Sequence, residues 1–174
     1  KAFGVHRDLL QCIRDCPHRF VVGLLNIYLT DERHHTNAII IDTVAGTLSR
    51  FDPDMSDAAQ DQDLDLQLRN FTTQHPDLLP GGYVPPRAFC PLTQMQTQAE
   101  RYPDFERKQP NFTDRGWGSV LCLMFIHDRL AFLELSDKEL AHKGSQDSFK
   151  LALDIRSYAN AVVTQCINKG LRFV

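Results

Sequence analysis

The chain has 174 residues, of which 43% are hydrophobic and 24% are charged. This length suits one domain with a hydrophobic core, and the composition is typical of a globular protein. The net charge of −3 and the scattered basic residues argue against a nucleic-acid partner.

No apolar stretch approaches the roughly 20 residues that a membrane-spanning helix needs, and the first residues lack a signal-peptide pattern. The chain starts at Lys1 rather than Met, so we expect one domain, residues 1–174, excised from a larger protein. Its five cysteines are an odd number in mostly apolar surroundings, which favours reduced thiols over disulfides. These features predict an intracellular protein without a membrane partner.

The first part of the chain predicts a helix followed by three strands. Residues 5–16 carry apolar side chains at helical spacing. The apolar run 19–29 is typical of a buried strand, and His34–Asp42 and Thr47–Phe51 are predicted as two further strands. A short glycine-containing turn joins the last two, so we expect an antiparallel hairpin.

The second part predicts three helices separated by a long loop. An acidic helix is expected over about 59–74, and residues 76–115 are mostly loop, with a short strand near 87–90. The nearly all-apolar run 120–135 predicts a central buried helix. A long helix over 148–169, closed by a glycine, is expected to cover one face of the sheet.

Two residues at one end of the predicted hairpin suit a base and its orienting acid. His35 begins one strand and Asp52 follows the other, so antiparallel pairing brings them to the same edge. A carboxylate beside a histidine fixes its tautomer and stabilises the imidazolium. His34 is a rival, because alternation lets only one of the two histidines face this edge. The alternative is a surface histidine and an ordinary turn aspartate.

The stretch 114–127 is a polar, glycine-rich turn that opens into an apolar helix. Backbone N–H groups at a helix start suit an oxyanion, and the helix dipole lowers the pKa of a thiol there. Small residues such as Gly118 leave the turn open to a substrate backbone. Taken alone, the stretch is better explained as a plain helix cap with Ser119 as the capping hydroxyl. Trp117 suits either a narrow substrate groove or core filling.

These motifs, in this order, resemble the His, Asp or Glu, Cys order of the adenain and SUMO-protease-like cysteine peptidases, including relatives encoded by large DNA viruses. The matching segments are 35–42, Arg50-Phe51-Asp52-Pro53 and 116–127, and the 17-residue separation of His35 and Asp52 fits the adenovirus protease pattern. The resemblance implies an α+β fold of the papain-like, ubiquitin-like-protease type. Such a fold has a central mixed or antiparallel sheet, a buried helix that carries the nucleophile position, and a C-terminal covering helix.

The resemblance also implies site residues. It makes His35 the general base, Asp52 its orienter, and the start of the central helix the place of a cysteine nucleophile. That place falls on Gly118 in one alignment and on Ser119 in another, and neither residue is a good nucleophile at neutral pH. Gln96 is the first choice for an amide donor to the oxyanion. Gln109 is the second choice and, with Trp117, a candidate for substrate binding.

The implied reaction is hydrolysis of a peptide or isopeptide bond through a thioester, with no metal or organic cofactor. The implied partner is ubiquitin, a ubiquitin-like protein or a polyprotein substrate, in the host cytoplasm or nucleus if the protein is viral or an effector. Because the thiol is missing, we expect an engineered inactive form, with a natural pseudoenzyme as the alternative. A non-catalytic binding module and an unrelated structural α+β domain remain open.

Overall fold

The computed structural model describes residues 7–28, 34–55, 59–90, 117–143 and 148–168. These residues form an α+β domain. Its elements, in chain order, are α1 Arg7–Arg14, β1 Phe20–Tyr28, β2 His34–Asp42, β3 Thr47–Phe51, α2 Ala59–Gln74, β4 Gly82–Val84, a 3-10 helix Pro86–Ala88, α3 Trp117–Ala131, α4 Asp137–Lys143 and α5 Ser148–Asn168.

The four strands form one mixed sheet in the order β1-β2-β3-β4. β2 pairs antiparallel with both β1 and β3, which confirms the predicted hairpin, whereas β4 lies parallel to β3. The pairing of β2 with β3 begins at Ala38, which lies opposite Phe51. The first four residues of β2, His34 to Asn37, therefore extend beyond the end of β3. The chain that leaves β3 therefore passes beside the start of β2.

Two helices cover opposite faces of the sheet. Ile40 and Phe51 share a buried cluster with Phe125 of α3, and the rings of Phe51 and Phe125 stack with their centroids 4.1 Å apart. Ile41 belongs instead to a second buried cluster with Leu68 of α2. Successive side chains of β2 thus point alternately to α3 and to α2, as the pleat of a strand requires.

Helix α5 packs against α3, and its Leu151 and Ile155 lie in the same buried cluster as Phe125. The C-terminal helix therefore packs on α3, and the prediction that it covers a face of the sheet directly is wrong. No helix within the described ranges is both long and apolar enough to cross a membrane.

The predicted strand near 87–90 is wrong. The chain forms a 3-10 helix at Pro86–Ala88, and the strand lies earlier, at Gly82–Val84. Pro85 and Pro86 have no backbone N–H, so the ladder cannot continue through them.

The prediction that the apolar run stays helical to residue 135 is also wrong, because α3 ends at Ala131. The guanidinium of the buried Arg129 donates hydrogen bonds to the backbone carbonyls of Phe132, Leu133 and Leu135. These contacts stabilise an irregular turn in which the apolar side chains still pack but the helix has stopped.

Gly46 closes the turn between β2 and β3 in a conformation that other residues avoid, with φ of +63°. A Cβ at this position would lie 2.5 Å from Cδ of Pro80. We expect Gly46→Ala to lower the free energy of unfolding by about 1–3 kcal/mol, measured by urea denaturation. Gly23→Ala is the matched control, since its Cβ would meet no atom within 4 Å in the part of the chain that the structure describes. Equal losses from the two substitutions would contradict this explanation.

Candidate active site

His35 and Asp52 form the central contact of the candidate site. Nε2 of His35 lies 2.8 Å from Oδ1 of Asp52. The His35 side chain is 13% exposed and that of Asp52 is 2% exposed, so only the histidine can be reached from solvent. The hairpin register brings the two together, because His35 stands near the start of β2 and Asp52 directly follows β3.

The carboxylate of Asp52 is held from several sides. Its Oδ1 also accepts hydrogen bonds from the backbone N–H groups of Asp54, at 3.0 Å, and Met55, at 3.2 Å. Its Oδ2 lies 3.6 Å from Nη1 of Arg50. Burial alone raises the pKa of Asp52, but the hydrogen bond and charge of His35, together with the charge of Arg50, hold that pKa below its usual value. Asp52 is therefore ionised at neutral pH.

The ionised state of Asp52 determines the tautomer of His35. A carboxylate only accepts hydrogen bonds, so Nε2 of His35 carries the proton that the two side chains share. In the neutral ring the basic lone pair then belongs to Nδ1. Nδ1 is thus the atom that can take a proton from a nucleophile, and Asp52 stabilises the imidazolium that results.

Arg50 connects the carboxylate of Asp52 to three other elements, α2, β4 and β2. Its Nη2 donates to Oδ1 of Asp65 on α2 at 2.8 Å, and its Nε donates to the hydroxyl of Tyr83 on β4 at 3.2 Å. Its Nη1 donates to Oδ1 of Asn37. Burial and the hydrogen bond that Tyr83 donates to Asp65, at 2.5 Å, raise the pKa of Tyr83 well above its usual value, so the phenol stays protonated.

The start of α3 is attached to β2 through Ser119. Oγ of Ser119 lies 2.9 Å from Oγ1 of Thr36, the residue that follows His35. Thr36 donates its only side-chain proton to Oδ1 of Asn26 on β1, at 3.0 Å. Ser119 is therefore the donor in its contact with Thr36.

This contact separates the two alignments of the nucleophile position. Thr36 and His35 project to opposite sides of β2, so the Ser119 hydroxyl points to the side away from the histidine ring. Gly118 is buried and lies one residue earlier, about 100° around the helix. Ser119 thus attaches the start of α3 to β2. Of the two positions that the resemblance offers for a nucleophile, Gly118 is the one whose place is not taken by this contact.

Two buried thiols, Cys90 and Cys122, lie near Asp52 and are poor candidates for a nucleophile. Cys122, one turn along α3 from Gly118, is 0% exposed, and its Sγ donates to the backbone carbonyl of Thr36 at 3.3 Å. Burial raises the pKa of Cys122 well above its usual value and that of Cys90 to about 12. Thiols that remain protonated and inaccessible are chemically inert.

The remaining predicted residues cannot be placed. Gln96 and Gln109 lie outside the described residues, as do the side chains of Trp117 and His34. Within the described ranges, no three His, Cys, Asp or Glu side chains are grouped so that they could hold a metal ion.

Sequence reasoning missed Asn37, Asp65 and Tyr83 around the site, and it gave Thr36 and Arg50 no role. Comparisons with protein-family models, with curated protein sequences and with solved structures found no match to this chain.

Proposed function

We propose that the chain is a cysteine-peptidase-like domain of the papain-like, ubiquitin-like-protease type, whose nucleophile position is 118. The observation that carries this proposal is the 2.8 Å contact between His35 and Asp52 at one end of the hairpin. The residue after His35, Thr36, is hydrogen-bonded to Ser119 at the start of α3. The base and its orienter therefore lie next to the residue of β2 to which the start of α3 is attached. Their order along the chain is that of the peptidases the sequence resembles.

A thiol at position 118 would complete this arrangement. Nδ1 of His35 would take the thiol proton, and the thiolate would attack the carbonyl carbon of the substrate. Backbone N–H groups at the start of α3 would bind the oxyanion that forms. The imidazolium would return the proton to the departing amine, leaving a thioester that a water molecule, deprotonated by His35, hydrolyses to a carboxylate and the free thiol.

The chain as sequenced does not perform this cycle. Gly118 has no side chain, and Ser119 donates its proton to Thr36 rather than to His35. The same observation favours a second candidate function, a non-catalytic module that binds a partner without cleaving it. For both functions we propose the C-terminal tail of ubiquitin or a ubiquitin-like protein, or a polyprotein segment, as the partner.

The proposal is tested by restoring a thiol at each position in turn. We expect Gly118→Cys to form a covalent adduct with ubiquitin or SUMO that carries a C-terminal alkyne electrophile. Ser119→Cys should react far more slowly, because its thiol would face Thr36. The parent chain is the control, intact-protein mass spectrometry is the measurement, and thermal unfolding establishes that both variants fold.

A small alkylating reagent separates the chemistry from the choice of partner. In the Gly118→Cys variant, a thiolate paired with the His35 imidazolium should react with iodoacetamide at a pH well below the usual thiol pKa of about 8.5. If this variant is alkylated rapidly but reacts with neither the ubiquitin nor the SUMO probe, the proposed peptidase chemistry stands and the substrate is a different protein. Slow alkylation of both cysteine variants would sink the peptidase interpretation.

A further inference from the structure

We infer that Arg50 is a positioning residue for the His35–Asp52 pair, and that Asp65 on α2 and Tyr83 on β4 hold it in place. This inference rests on the proposed function, because only that function gives the pair a reaction to perform. Arg50 is buried, at 2% exposed, and its Nη1 lies 3.6 Å from the carboxylate that orients the histidine.

The two oxygens of Asp52 have different partners. Oδ1 accepts hydrogen bonds from His35 and from two backbone N–H groups, whereas Oδ2 faces Nη1 of Arg50 at 3.6 Å. That distance is an ion pair rather than a hydrogen bond. The charge of Arg50 therefore attracts Oδ2 while His35 contacts Oδ1, and the two contacts together limit rotation of the carboxylate. A carboxylate that cannot rotate keeps the histidine ring in one direction.

The position of Arg50 is in turn determined by three other elements of the fold. A guanidinium is planar, and its N–H groups point in fixed directions, so several acceptors together define its orientation. Asp65 on α2 accepts from Nε at 3.1 Å and from Nη2 at 2.8 Å, Tyr83 on β4 accepts from Nε at 3.2 Å, and Asn37 on β2 accepts from Nη1. Negative, positive and negative charges alternate from Asp65 through Arg50 to Asp52. The order of these charges favours one arrangement of the whole network.

The competing explanation is that Arg50 only joins α2 and β4 to the sheet. Arg129 shows what such a role looks like, since its side chain is also buried, at 4% exposed, and it holds the turn after α3 through backbone carbonyls and Asp137. A structural arginine of that kind affects the stability of the fold without affecting the histidine. Arg129 is thus a matched control for Arg50.

The distinguishing measurement is the exchange of the His35 ring N–H with water, followed by nitrogen-15 NMR in the chain as sequenced. Arg50→Lys keeps the charge but loses the planar fork of the guanidinium. We expect the ring proton of His35 to exchange about tenfold faster in this variant, because losing the free energy of one average hydrogen bond lets the contact with Asp52 open about ten times more often. Arg129→Lys should leave the exchange rate unchanged at a comparable loss of stability. His35→Gln identifies the resonance by its disappearance.

Tyr83→Phe serves if Arg50→Lys does not fold, because it removes a single hydroxyl from the network and should change the exchange rate in the same direction. The inference would be overturned if the ring proton exchanged at the same rate in the parent and in Arg50→Lys or, where that variant does not fold, in Tyr83→Phe.

If the ring proton gives no resonance, the same variants are compared in the Gly118→Cys background. There the midpoint of the pH–rate profile for alkylation should move with Arg50→Lys and not with Arg129→Lys. Failure of Gly118→Cys to react at all would count against the proposed function instead.

Discussion

Replacing His35 with glutamine in a protein that also carries Gly118→Cys is expected to slow its reaction with the C-terminal electrophile by about 10²–10⁴-fold. Glutamine can still donate a hydrogen bond to Asp52, but it cannot take the thiol proton. The thiol at position 118 would then be mostly neutral at pH 7, and a neutral thiol is a weak nucleophile. The measurement is the pseudo-first-order rate of adduct formation, followed by intact-protein mass spectrometry.

His127→Gln provides the matched control in the same Gly118→Cys background. His127 lies on α3, the helix that also carries position 118. Its side chain is 64% exposed, and the described contacts place it beside Asp128 and the ring of Tyr158. We expect this variant to react at the rate of the Gly118→Cys protein. Equal rates for the His35 and His127 variants would mean that the helix dipole or another group, rather than His35, activates the thiol.

Half of this site could be predicted from the sequence because its determinants are local. The bounds of β2 and β3 follow from the residue types in each run and from the glycine turn between them, and the structure places both strands at the predicted residues. With those bounds, antiparallel pairing alone brings His35 and Asp52 together. The proximity of the two residues therefore follows from the register of one hairpin, whereas the orientation of the carboxylate depends on partners further along the chain.

The support around Arg50 could not be predicted because its partners come from distant elements. Asp65 is 15 residues away along the chain and Tyr83 is 33 residues away. The parallel pairing of β4 with β3 depends on the same long connection, and three residues among prolines give no strand signal of their own. An arginine in a strand pattern suggests a solvent-facing position, and only the packing of α2 over that face makes it buried.

Helix α4 is different, because a local signal for it exists in the sequence. Ser136 and Glu139 form a capping box, in which the Glu139 N–H donates to Oγ of Ser136 at 3.3 Å and the Ser136 N–H donates to Oε2 of Glu139 at 2.8 Å. The Ser-x-x-Glu spacing predicts a helix start there. The long apolar run before it hid this signal, since that run suggested one helix that continues to residue 135.

Asp52→Asn is expected to lower the free energy of unfolding at neutral pH by about 1–3 kcal/mol, because it removes one of the two carboxylates beside the buried Arg50 and weakens the hydrogen bond with His35. The pKa of Asp52 is depressed in the folded protein. Its contribution to stability is therefore complete above the unfolded carboxyl pKa of about 4 and is lost as the pH falls through the lower, folded pKa. Urea denaturation across the acid range should show a smaller loss of stability with falling pH in the variant than in the parent.

Asp77→Asn tests whether any paired carboxylate would behave in this way. The hydrogen bond from Arg14 also lowers the pKa of Asp77, but the Asp77 side chain is 64% exposed, so solvent screens the pair. We expect this variant to keep nearly all of the parent's neutral stability and its acid dependence. If instead the two variants give the same acid dependence, Asp52 is not a buried carboxylate at neutral pH. The assignment of the shared proton to Nε2 of His35, and of the base to Nδ1, would then lose its physical basis.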